Sequence, residues 1–99
     1  MDITVDELKT RLQNQEKVNI IDVREEWEYE EGNIGGQLIP LATLPMAIEN
    51  QSLEAWKDQE VVVHCKSGKR SETAQKVLQM AGFTQVRNLI GGIEAYWKA

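Results

Sequence analysis

The chain carries one cysteine and one histidine, and they are neighbours: residues 64–71 read HCKSGKRS. A thiol beside an imidazole suggests a nucleophile with its own general base, which must lie within hydrogen-bonding reach. The flanking residues argue against that pairing. His64 and Cys65 close the apolar, β-branched run VVVHC at 61–65, which reads as a buried strand. Neighbouring side chains on a strand point to opposite faces. The imidazole and the thiol are therefore expected to diverge, leaving His64 as a satisfied packing residue beneath the sheet.

Without that base the thiol needs another source of activation. A free thiol titrates near 8.5, roughly, and helix N-termini or neighbouring cations lower that value. Both follow Cys65. Lys66-Ser67-Gly68-Lys69-Arg70 joins the strand end to a helix start, and a tight loop of this kind can turn successive N–H groups inward as an anion nest. Lys69 and Arg70 fall at or just before the helix N-terminus, where the macrodipole disfavours positive charge. Three bases in five residues, within a chain of net charge −5, also concentrate a positive field that attracts small anions. The pattern predicts a strand-end thiolate held in a cradle for an anionic reagent.

The totals narrow the class. Sixteen acids against 11 bases argue against nucleic acid as the main partner. One cysteine makes no internal disulfide, and with one histidine the soft ligands are too few for a zinc site. No apolar run approaches a membrane span, and MDITVDELKT lacks the features of a signal peptide. The expectation is a cytoplasmic protein without metal or cofactor, folded as one domain over residues 1–99.

The elements that must position Cys65 follow from periodicity. Thr4-Val5-Asp6-Glu7 fits a capping box, with Ile3 and Leu8 as the hydrophobic staple. VNII at 18–21, running into Asp22, reads as a strand; EEWEYEE at 25–31 reads as a short acidic helix closed by Gly32. A brief strand is expected at 37–39, helical turns in LPMAIEN and LEAWK, and a further strand in QVRNL. SETAQKVLQMAG places Ala74, Val77, Leu78 and Ala81 on one helical stripe ending at Gly82, and GGIEAYWK forms a last helix. Strands alternating with helices, and apolar nearly throughout, predict an α/β fold with a small parallel β-sheet flanked by helices on both faces. Ligand sites in such sheets lie at the carboxyl ends of the strands, where Cys65 falls.

CKSGKRS, after VVVH and before an amphipathic helix, resembles the active-site loop of the rhodanese-like sulfurtransferases. IIDVREEWEYEEGNI resembles that family's Asp-Val-Arg segment with its following Glu-x-x-x-Gly-His-Ile, and VRNLIGGIEAYW resembles its Leu-x-Gly-Gly signature. The resemblance covers nearly the whole chain. It implies that Cys65 takes a sulfane sulfur and holds it as a persulfide. The amides of Lys66, Ser67, Gly68, Lys69, Arg70 and Ser71 would cradle the outer sulfur or the anionic donor, and Arg70 would bind the anion or pin the loop. Asp22 and Arg24 match the Asp-Val-Arg pair in a supporting role. The implied partners are a small anionic donor such as thiosulfate and a thiol acceptor, either a small thiol or a thioredoxin-like protein. Asn33 and Gly35 stand where the family has histidine and proline, and Tyr96 and Trp97 share the place of its terminal tryptophan.

Two other readings are available. Cysteine-dependent phosphatases resemble one another in a cysteine, five residues and an arginine, whereas four residues separate Cys65 from Arg70. That shorter loop suits a single sulfur atom better than a tetrahedral phosphate or arsenate. The alternative of another class is a docking or redox-sensing module, for which the acidic stretch 25–31 could face a basic partner; its plainer reading is a solvated helix face anchored by Trp27 or Tyr29.

Overall fold

The computed structural model describes residues 2–98. In chain order the elements are α1 (Val5–Gln13), β1 (Asn19–Asp22), α2 (Glu26–Glu31), β2 (Gln37–Leu38), α3 (Leu44–Glu49), β3 (Glu60–His64), α4 (Lys69–Met80), β4 (Gln85–Asn88) and α5 (Gly92–Lys98). Turns of 3-10 helix at Leu41–Thr43 and Glu54–Trp56 fill the connections before α3 and β3. The sheet order is β2-β1-β3-β4 with every pairing parallel. Its register sets Asp22 beside His64, and Val63 beside Asn88.

The apolar runs are buried on both sides because each face is covered. Val61, Val63, Ile21 and Val86 pack with Leu44, Ala74 and Leu78 beneath α3 and α4. Ile20, Val62 and Leu89 pack with Ile3, Val5 and Leu8 on the α1 side, with Ala95 and Tyr96 of α5 against them. Each buried Val or Leu side chain contributes about 1.5–3 kcal/mol through removal from water. Half of the expected capping box forms: Thr4 Oγ1 accepts the Glu7 N–H at 3.1 Å, while the Glu7 carboxylate pairs with Arg87; the staple residues Ile3 and Leu8 are fully buried.

β2 and β4 each end one residue earlier than the sequence reading, and two boundaries shift at the loop. β3 ends at His64 rather than Cys65, because the Cys65 carbonyl accepts the Ile93 N–H of α5 at 2.9 Å instead of continuing a ladder. α4 begins at Lys69, two residues before Ser71, because Gly68 takes φ +111° and caps the helix in a left-handed conformation. Such a backbone is strained for any residue with a Cβ. Among the described residues no helix is long and apolar enough to cross a membrane.

Candidate active site

Cys65 sits at the carboxyl end of the central sheet, one residue beyond β3, with 1% of its surface exposed. The chain turns at Gly68 and enters α4, so the loop folds back over the sulfur. The Gly68 N–H donates to Cys65 Sγ at 3.1 Å, and Ser71 Oγ lies 3.4 Å from it. Burial pushes the thiol up, and hydrogen bonds from the Ser71 hydroxyl and from the amides of Ser71, Gly68 and Ser67 outweigh it, holding the thiol below its ordinary value. Of the six loop amides, these three act on the sulfur. The cations come behind these hydrogen bonds, and Lys66 and Lys69 are exposed.

The loop is itself fastened from β4 and α5. Asn88 Nδ2 donates to the Gly68 carbonyl at 3.2 Å while Asn88 Oδ1 lies 2.6 Å from Ser71 Oγ. The Ile93 and Glu94 amides donate to the carbonyls of Cys65 and Lys66 at 2.9 and 3.1 Å. Gly92, at φ +64°, passes so close that a Cβ there would overlap both of those carbonyls. The Gly-Gly of the last segment thus seats α5 directly on the loop.

Arg70 interacts with the sulfur through charge but is bonded elsewhere. Its Nη1 and Nη2 donate to Glu28 Oε1 and Oε2 at 2.7 and 3.0 Å, a bidentate pair joining α4 to α2. The Arg70 guanidinium, more than any other influence, holds Glu28 at about 2. The pair with Glu28 ties the first turn of α4 to α2. Asp22 and Arg24 lie underneath, both buried. Arg24 Nε and Nη2 hold the Asp22 carboxylate at 2.8–3.1 Å, and Nη2 and Nη1 reach the Gly32 and Glu28 carbonyls at 2.8 and 3.3 Å. They anchor α2 to the end of β1 and make no hydrogen bond with the sulfur.

His64 diverges from the thiol. It is fully buried; its Nδ1 faces the Cys65 carbonyl at 3.4 Å and its Nε2 lies 3.6 Å from Asp22 Oδ2. Burial lowers its pKa, so the ring is neutral at neutral pH. The expectation of a satisfied histidine is only half met: Nδ1 faces a carbonyl and so carries the neutral ring's proton, leaving Nε2 an acceptor that faces the Asp22 carboxylate without a hydrogen-bond partner.

Three site residues were not found by sequence reasoning. Glu28 falls in the stretch read as a solvated acidic face, yet it is buried; it closes a capping box by accepting the Glu25 N–H at 2.9 Å, while its partner Arg70 lies 42 residues away. Asn88 and Gly92 left a trace. Asn88 shares a strand face with buried Val86, and a polar residue at an inward position signals a specific partner. Gly92 is the second glycine of a pair whose purpose appears only once α5 is seated. In the acidic helix, Tyr29 provides the anchor, donating its hydroxyl to the Gly36 carbonyl at 2.8 Å. Trp27 is 63% exposed and borders a cleft of about 290 Å³ with Arg24, Lys66, Ile93 and Trp97. Asn33 closes α2 locally: its side chain donates to the Tyr29 carbonyl and accepts the Gly35 amide.

The rhodanese-like domain family model matches residues 4–99. A sulfurtransferase of Allochromatium vinosum is 35% identical over 96 residues, covering 96% of this chain and 86% of that protein. The putative sulfur carrier protein YrkF of Bacillus subtilis is 34% identical over 93% of this chain, which spans only 48% of YrkF. Among solved structures, the human single-domain sulfurtransferase TSTD1 superposes with a TM-score of 0.83 at 26% identity, covering 98% of this chain and 95% of its own.

Proposed function

This chain belongs to the rhodanese-like domain family, and from that premise we propose that it is a sulfurtransferase working by double displacement through a persulfide on Cys65. One observation carries the reading: a buried thiol accepts a hydrogen bond from the Gly68 amide at a strand-to-helix turn, with the Ser71 hydroxyl 3.4 Å away. Such donors favour the anionic sulfur over the neutral thiol.

In the first displacement the Cys65 thiolate attacks the outer sulfur of thiosulfate. The new S–S bond forms as the bond to the sulfonate sulfur breaks, and sulfite leaves with the electron pair. The charge then rests on the outer sulfur of Cys65–S–S⁻, and the amides of Ser67, Gly68 and Ser71 are the donors nearest to accommodate it. In the second displacement an acceptor thiolate, or cyanide in an assay, attacks that outer sulfur and releases the Cys65 thiolate. Lys66 and Lys69, exposed beside the turn, draw the anionic donor in. Arg70 keeps the loop in shape through Glu28, and Asp22 and Arg24 hold the floor beneath it. The four-residue spacing of Cys65 and Arg70 supports sulfur rather than phosphate as the group held. A small thiol or a thioredoxin-like protein would serve as the acceptor.

Incubation with thiosulfate followed by intact-mass measurement tests the proposal. One added sulfur on Cys65, removed by cyanide as thiocyanate and absent in Cys65→Ser, is expected. A chain that stays unmodified in thiosulfate and in other sulfane donors refutes it and favours the docking reading.

A further inference from the structure

Ser71 has one hydroxyl proton and two groups that can take it. Its Oγ lies 2.6 Å from Asn88 Oδ1 and 3.4 Å from Cys65 Sγ. The orientation of Asn88 follows from its other end, where Nδ2 donates to the Gly68 carbonyl at 3.2 Å. The atom facing Ser71 is therefore a carbonyl oxygen, which only accepts. At 2.6 Å the hydroxyl must donate to it. That arrangement suits a protonated thiol, whose S–H can in turn point at a lone pair of Oγ. It does not suit a thiolate, which has no proton and requires donors. On ionisation the hydroxyl has to rotate toward sulfur, and the buried Asn88 oxygen loses its partner in exchange.

We propose that Asn88 is a positioning residue that competes with Cys65 for the Ser71 proton, releasing it when the sulfur becomes an anion and recovering it when that sulfur is bonded to a second one. Only the recovery step rests on the sulfurtransferase reading above. No covalent bond changes at Ser71 or Asn88: the thiol proton leaves to solvent and the hydroxyl turns. In the persulfide the charge has moved to the outer sulfur, so the hydroxyl is free to return. Asn88 thus holds back ionisation of the empty thiol, and ceases to oppose the sulfur's state once it is loaded. The Ser71 hydroxyl is also the leading downward influence on the thiol, which makes the competition consequential.

The charged groups around Cys65 are Lys66 and Lys69 of the loop, Arg70 of α4 held by Glu28 of α2, the Asp22–Arg24 pair at the end of β1, and Glu94 at the start of α5; His64 of β3 is neutral. The variants below leave all of them in place.

Asn88→Leu removes the competing oxygen at similar volume. A merely structural role predicts that losing the Gly68 contact loosens the loop and makes the thiol less acidic; competition predicts the reverse. The assay is the pH dependence of Cys65 alkylation by iodoacetamide, read by intact mass. Asn88→Leu is expected to shift the midpoint down, so that alkylation below the wild-type midpoint runs about threefold faster, the effect of one neutral hydrogen bond. Ser71→Ala is expected to shift it up, and adding Asn88→Leu to Ser71→Ala should change nothing further. An upward or absent shift in Asn88→Leu, or equal shifts in both backgrounds, overturns the proposal. Should the leucine variant fail to fold, the unsubstituted protein decides the matter by NMR. The Asn88 carboxamide carbon should titrate with Cys65, and do so much less in Ser71→Ala; a resonance indifferent to Cys65 overturns the proposal. Neither measurement uses a sulfur donor, so failure of the thiosulfate test removes the sulfurtransferase reading and leaves the competition to be judged by these results.

Discussion

Replacing Glu28 with glutamine tests the bidentate pair that fastens α4 to α2. The ordinary carboxyl value of 4.5 falls to about 2 in Glu28, chiefly because Arg70 donates to both oxygens. If that whole difference registered in folding, it would amount to about 3.4 kcal/mol at neutral pH. The Arg70 side chain is 36% exposed, and water there screens the pair, which reduces the expected contribution to about 1–2 kcal/mol. The sign follows from linkage. A carboxyl lower in the folded than in the unfolded state stabilises fully above 4.5, and that stabilisation drains away as the pH falls toward 2. Urea unfolding of the wild type and Glu28→Gln at several pH values provides the measurement. Glu7 and Glu60 are also lowered by arginine neighbours, but they act equally in both proteins and cancel in the difference. Glu28→Gln should be less stable by about 1–2 kcal/mol at pH 7, with the gap shrinking by more than half near pH 3. No gap at pH 7 would refute the pair as a fastening, and a gap independent of pH would refute its ionic origin.

Gly92→Ala should cost about 2 kcal/mol or more, because its Cβ overlaps the Cys65 and Lys66 carbonyls; thermal unfolding checks the stability, and slower Cys65 alkylation should accompany it. Asp22→Asn strips the buried Arg24 of its counter-charge and should destabilise by about 3 kcal/mol in urea titrations. Lys66→Ala with Lys69→Ala should raise KM for thiosulfate several-fold and flatten its dependence on ionic strength, while the thiol midpoint changes little. A large midpoint shift in that double variant would restore the cations as the main activators of the sulfur.

How far the site could be read from the sequence depended on how local each signal was. VVVH announced a buried strand because β-branched residues covered on two faces leave an unbroken apolar run. Thr4 and Glu7 marked the start of α1 through a contact three residues long. The separation of His64 from Cys65 followed from strand geometry alone. The cations and the amide-rich loop behind Cys65 are both legible in the sequence, but the direction of the Gly68 amide depends on a backbone angle that the sequence only permits. Arg70 was visible as a cation near sulfur, but its engagement with Glu28 requires α2 and α4 to lie side by side. Asn88 meets Gly68 across 20 residues, and Gly92 reaches farther back, to Lys66 and Cys65, so their purpose could be seen only in three dimensions.

The seating of α5 on the loop bears on the order in which the protein is made. A ribosome delivers the chain from its amino end, so Cys65 leaves the exit tunnel before Asn88, Gly92, Ile93 and Glu94. Until those residues emerge, Ser71 lacks its carboxamide neighbour, and the carbonyls of Cys65 and Lys66 lack the amides that fix them. The loop of the unfinished chain has no reason to hold its turn, and its cysteine is an ordinary thiol. The setting that lowers the thiol therefore arrives only with α5, which keeps the sulfur ordinary while the core of the nascent chain is still open.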